Sequence, residues 1–205
     1  MWSIVSDVPQ ELRHGVVTEA YRLADELDWS ALTDRQRTAM YDRWLDLPAI
    51  GGQLTRFLTR ERARVWLKDG PMKEYARARN GIGLFADFAT SRLPTPGEMA
   101  RRLLGQRWDS TGPIQEKPLR CRVTNGQTDR LLIWGPPPTL RDLVWAGINA
   151  VVDQEPTPLL IVTIPFGQHF GDAEKRRHAN LCQVAGLEVQ HLVVRVVKVT
   201  PPSGN

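Results

Sequence analysis

Only two cysteines, Cys121 and Cys182, occur in the 205 residues, and neither stands in a metal-ligand spacing. With four scattered histidines (His14, His169, His178 and His191), the chain shows no zinc motif, and two reduced structural thiols are expected. No run approaches the eighteen or so apolar residues that a spanning helix needs. The charged start, apolar centre and small-residue cleavage site of a signal peptide are missing too, so a cytoplasmic protein without membrane contact is expected. Gly-x-Ser-x-Gly is absent, which excludes a nucleophile elbow. Gly135-Pro136-Pro137 lacks the lysine and hydroxyl of a phosphate-binding loop, and Gly81-Ile82-Gly83 follows no strand. No internal repeat is visible. What remains is 41% hydrophobic and 24% charged, enough apolar material for a real core.

The net charge of +4 is modest, but its distribution is uneven. Residues 1–55 carry five basic and nine acidic side chains, a net of −4, whereas residues 56–79 carry eight basic against three acidic, a net of +5. Residues 92–107 add four arginines against Glu98. Arginine outnumbers lysine 22 to 5, and the planar guanidinium suits bidentate contact with phosphate.

The N-terminal part reads as helices. Leu12, Val16, Val17, Ala20, Leu23, Ala24 and Leu27 give residues 10–27 one apolar face. Thr33 and Gln36 form a capping box for a second helix that Pro48 ends. Residues 53–69 form a third helix, or two broken near Thr59. Arg56, Arg60, Arg64 and Lys68 stand four apart, so on one helix they stack as a cationic ridge. Like charges at that spacing repel unless an anion or nearby carboxylates neutralise them. A further short helix after Gly70-Pro71 would expose Arg77 and Arg79. Leu32-Thr33-Asp34-Arg35-Gln36-Arg37 is similar to the opening helix of the helix-turn-helix domains of sigma factors and response regulators, and Ile50–Leu54 matches their second helix. No glycine turn precedes the recognition-helix position, where Thr55-Arg56-Phe57-Leu58 stands.

Residues 81–118 are the least regular stretch and are expected to connect a helical region (1–80) to an α/β domain (119–205). Leu119–Thr124 and Arg130–Trp134 read as a hairpin with a five-residue loop around Asn125-Gly126. A helix then follows, with a capping box expected in Thr139 and Asp142. Leu159–Ile164 is apolar on both faces, as a covered central strand must be. A further helix is expected to be capped by Asp172 and stopped by Gly186. The last strand, 188–199, is expected near a sheet edge, because Arg195 and Lys198 interrupt its apolar run. The fold class is therefore α/β: a mixed sheet, a βαβαβ C-terminal half and a helical N-terminal region. Ligands gather outside the carboxyl ends of parallel strands. Of the two loops there, only Pro165–Asp172 carries reactive groups, His169 and Asp172, with Lys175, Arg176 and Arg177 beside it.

The order hairpin, helix, strand, helix, strand over residues 119–199 resembles the core of the PD-(D/E)XK nuclease superfamily. That resemblance implies magnesium held by an aspartate and by an acid two residues before a lysine, on the hairpin strands. Asp129 falls near the aspartate's position. The second strand, Leu131-Leu132-Ile133-Trp134-Gly135, has neither acid nor lysine, and Glu188-Val189-Gln190 offers a variant of the motif on another strand. The implication is a member that binds DNA without cutting it.

The sequence thus leads to a DNA-binding protein of a restriction, phage-defence or regulatory system, with duplex preferred to single-stranded DNA. Its phosphate contacts would come from Arg56, Arg60, Arg64 and Lys68, helped by Arg77, Arg79, Lys175, Arg176 and Arg177. One alternative is a magnesium-dependent nuclease using Asp129. Another is a self-assembling structural protein in which the acidic segment of one copy pairs with the basic segment of the next. Internal neutralisation of the basic segment by the acidic one stays open as well.

Overall fold

The computed structural model describes residues 8–200, so the outer ends of the expected first and last domains, 1–7 and 201–205, lie outside the described residues. It divides into two units. One takes in the chain up to Leu93 and again from Val196; the other is Pro94–Arg195. The division therefore falls inside the stretch expected to be a connector, and 94–118 belong with the sheet.

The first unit begins with α1 (Gln10–Glu26), which Pro9 precedes and which buries Val16, Val17, Ala20, Tyr21 and Ala24. In α2 (Asp34–Trp44) the Thr33–Gln36 capping box forms as expected. Trp29 stacks on Trp44 at 5.0 Å between ring centroids, and Tyr41 packs on both, so the aromatics anchor α2 to the short turn that precedes it. The expected third helix is two. Here α3 (Gly51–Leu54) ends before Arg56, and α4 (Arg60–Asp69) starts afresh where the Thr59 hydroxyl accepts from the Arg62 N–H. Gly51 allows the turn before α3, since a Cβ there would meet the Leu45 carbonyl oxygen at 1.9 Å. Pro71 opens α5 (Pro71–Ala78), its missing N–H harmless at a first helical position. A short strand, β1 (Ser91–Arg92), follows.

Asp25 of α1 ties this unit together. Its carboxylate accepts from the Tyr75 hydroxyl at 2.5 Å, the Thr90 hydroxyl at 2.6 Å and the Ser91 hydroxyl at 2.6 Å. Burial, and then the bond to Asp25, push the Tyr75 phenol well above its ordinary pKa, so it stays a donor.

The second unit opens with α6 (Pro96–Leu104), capped reciprocally by Thr95 and Glu98. Five strands follow in sheet order: β2 (Asp109–Ser110), β3 (Leu119–Thr124), β4 (Asp129–Gly135), β5 (Pro158–Pro165) and β6 (Glu188–Val194). β2, β3 and β4 run antiparallel to their neighbours, then β4, β5 and β6 are parallel. The α/β class expected from the sequence is thus the class observed. The hairpin loop is four residues, 125–128, because Asn125 Oδ1 accepts from both the Gln127 and Thr128 N–H groups and closes the turn tightly.

The two parallel crossovers are α7 (Leu140–Val152) and α8 (Asp172–Val184). Both lie on one face: Leu131, Ile133, Leu160 and Val162 from the strands pack with Leu143, Ala146, Ala150 and Cys182 from the helices. α6 lies against β2 and β3. Gly147 permits close packing of α7, because a Cβ there would meet Leu187 Cδ1 at 2.9 Å.

Neither expected cap in this unit forms. The Thr139 hydroxyl donates instead to the Pro136 carbonyl at 2.8 Å, within a tight turn set by the prolines. Gly171 occupies the N-cap of α8, Asp172 is its first helical residue, and Glu174 accepts from the Gly171 N–H. β6 is an edge strand, as expected, but it stops at Val194, before the Arg195 and Lys198 that prompted that expectation. Beyond it the chain returns to the first unit as β7 (Val197–Lys198), which pairs antiparallel with β1. Among the described residues no helix is long and apolar enough to cross a membrane.

Candidate nucleic-acid interface

The helical period places Arg60, Arg64 and Lys68 along one side of α4, but Arg56 stands in the turn before it. The ridge is therefore three helical cations and one turn residue, because the Thr59 cap restarts the helix between them. Arg60 Nη2 is 2.9 Å from Asp46 Oδ1 and donates to the Asp42 carbonyl, while Nη1 donates to the Leu45 carbonyl. Arg60 thus caps the carbonyl end of α2, where a cation is favoured. Arg64 Nε stands 2.9 Å from Asp42 Oδ1, at an angle that makes the contact a charge pair more than a hydrogen bond.

The acidic segment therefore meets the basic one within a single chain. Asp42 and Asp46 are engaged, which leaves pairing between copies without these two partners. They cover only half of the ridge. Arg56 and Lys68 are exposed and form no ion pair with another described residue. The paired cations are also accessible, with 53% of the Arg60 side chain and 37% of the Arg64 side chain open to solvent.

The helper residues divide. Arg77 is held by Glu74, and the Arg79 guanidinium lies 5.4 Å from the Tyr75 ring centroid, so neither stands free as the sequence suggested. Arg176 and Arg177 are exposed on α8 without an ion pair to a described residue. Lys175 is bound to Asp172 at 3.1 Å; that bond and charge, with Arg176 and His169 further off, hold the Asp172 carboxyl below the usual range. His169 is exposed in the loop before it. Lys175, Arg176 and Arg177 belong to a different unit from the ridge.

The acids offered for a magnesium site are Asp129 and Glu188. Arg130 binds Glu188 at 2.7 Å across β5, so these two side chains share a face of the sheet. Asp129 is the neighbour of Arg130 in β4 and points to the opposite face. The two acids cannot meet on one metal ion, and Glu188 already has a cation. Burial would raise the Glu188 carboxyl, but the bond and charge of Arg130 outweigh it and hold it low. Among the described residues no three His, Cys, Asp or Glu side chains are grouped to hold a metal. These residues do not fit the family's magnesium site.

Two groupings escaped the sequence reading. The Arg195 guanidinium lies 3.9 Å from the ring centroid of Phe166, at the carboxyl ends of β5 and β6. His178 of α8 and His191 of β6 meet through their rings, with Phe170 beside both. The alternation of Val189, His191 and Val193 gave a signal for the second, since it puts His191 on the helix-covered face. Compared with protein-family models, with curated proteins and with solved structures, the chain matches none.

Proposed function

We propose that the protein binds DNA, duplex in preference to single-stranded, by phosphate contact along Arg56, Arg60, Arg64 and Lys68. The observation that carries this is the half-covered ridge: four accessible cations face two carboxylates, and Arg56 and Lys68 have no ion pair with another described residue. Exposed ion pairs of this kind contribute only ~0–1 kcal/mol, so an arriving phosphate can exchange with Asp42 or Asp46 at little cost. The order of the β3–β4 hairpin, α7, β5, α8 and β6 resembles that of PD-(D/E)XK nucleases and supports the same partner. The opposed Asp129 and Glu188 support binding without cleavage.

Neutralising four phosphates gives a salt slope of about −3.6 in a log–log plot of affinity. Fluorescence anisotropy on duplex and single-stranded DNA from 50 to 300 mM salt measures it. Replacing the four ridge cations by glutamine removes most of the slope. Affinity indifferent to salt, or an unchanged slope in that variant, refutes the interface. Magnesium-dependent cleavage in the same samples would refute the non-catalytic part alone.

A further inference from the structure

His191 stands opposite Val162 in the parallel ladder, on the sheet face that α7 and α8 cover. Its Nε2 lies 3.3 Å from Nδ1 of His178, the two rings are 24° from parallel, and Phe170 sits 5.2 Å from one and 5.5 Å from the other. Two imidazole nitrogens at this separation form a hydrogen bond only when one of them carries a proton and the other does not.

We propose that His178 and His191 are a proton-limited clasp fastening α8 to the edge strand β6, closed while the pair holds no more than one added proton and opened by the second. With both rings neutral, one facing nitrogen donates and the other accepts. The first added proton goes to the outward nitrogen of whichever ring donates, and the bond survives with a charged donor, which strengthens it. That ring now has both nitrogens protonated. The accepting ring already carries its hydrogen on the outward side, so the second proton must take the facing lone pair. It puts N–H against N–H and two positive charges about 3 Å apart.

The surroundings favour the closed form. Burial lowers the pKa of both rings. Around His178, Glu174 favours protonation and Arg177 opposes it; around His191, His178 and Lys175 both oppose it. Phe170 and Val162 bring no charge. Because the folded values lie below the unfolded one, the clasp's stabilisation is complete above the unfolded histidine range, near pH 7. It survives the first added proton and is lost as the pH falls on through the lower of the two folded values.

Two-dimensional NMR of the imidazole groups and backbone amides of the full chain, from pH 8 to 4, tests the clasp. The two rings should titrate in separate steps more than about one pH unit apart, with the α8 amide signals moving with the lower step. His191→Phe keeps a ring in the stack and removes the facing nitrogen, so His178 should then titrate in one step, above the wild-type lower step. A single shared step near the ordinary histidine value in the wild type refutes the clasp. So do α8 amides that ignore the lower step, or a His178 unmoved by His191→Phe. Should that variant not fold, the wild-type titration decides alone.

Discussion

Arg64 Nε stands 2.9 Å from Asp42 Oδ1, so the middle of the three ridge cations on α4 faces an anion supplied by α2. Arg60 faces Asp46 in the same way. The segments that look like opposite poles in the sequence are packed against each other. The DNA-binding proposal therefore concerns competition between two carboxylates and a phosphate backbone.

Removing those carboxylates should sharpen binding. In Asp42→Asn with Asp46→Asn, the DNA affinity in 100 mM salt should rise several-fold, with the salt slope still that of four phosphates, because no internal anion must be displaced. Folding stability should fall by only about 1 kcal/mol, as two exposed pairs are lost. Anisotropy titrations and urea melts measure the two effects. An unchanged affinity would place the arginines outside the interface.

Asp25→Ala should be among the most damaging substitutions in the first unit. It strips the acceptor from three hydroxyls, those of Tyr75, Thr90 and Ser91, and Ser91 is only 1% exposed. Leaving buried donors unsatisfied should destabilise by about 3–5 kcal/mol. Asp25→Asn, which keeps one acceptor oxygen, should lose less. Urea unfolding of the two variants gives the ranking.

The alignment of Arg60, Arg64 and Lys68 was legible because side chains four apart share a helix side, a rule that does not reach Arg56 in the turn before α4. The ridge's partners were not, because Asp42 and Asp46 come to it only through the packing of α2 on α4. The Thr33–Gln36 box could be read for the same local reason, since both residues lie within one turn. Thr139 and Asp142 had the same spacing and failed, because the prolines before them set a tight turn that draws the Thr139 hydroxyl to Pro136. The succession of β3, β4, α7, β5, α8 and β6 along the chain followed from apolar runs and breakers, whereas β2, read as loop, is two residues long and left no pattern. The return of the chain to the first unit did not follow, since β1 and β7 are two residues each and too short to carry a pattern. His178 and His191 come together only when α8 is laid on β6.

Glu188→Gln should flatten the acid limb of the stability curve. Arg130 holds the Glu188 carboxyl below its unfolded value despite burial, so its contribution is complete above about pH 5. That contribution is lost as the pH falls through the folded value. Thermal melts from pH 7 to 3 should show the wild type losing more of its melting temperature below pH 5 than the variant does. Parallel curves would mean that the ion pair adds nothing.

Gly147→Ala should cost about 1 kcal/mol and Gly147→Val about 3 kcal/mol, because the added atoms press on Leu187 and Leu160 where α7 meets the sheet. Adding Leu187→Ala to Gly147→Ala should recover part of what the glycine change removes. Double-mutant melts measure that coupling.

The pairing of β1 with β7 sets Ser91 opposite Lys198 and Arg92 opposite Val197, in antiparallel register. Two such strands are ordinarily joined by a turn of a few residues. Here Pro94–Arg195 takes the place of that turn, so the α/β unit is an insertion into a helical host whose chain is completed only after the guest ends. Truncation at Leu93 would therefore strip the host of its closing strand, whereas joining Arg92 to Val197 through Asn-Gly would restore a hairpin and leave a continuous host chain.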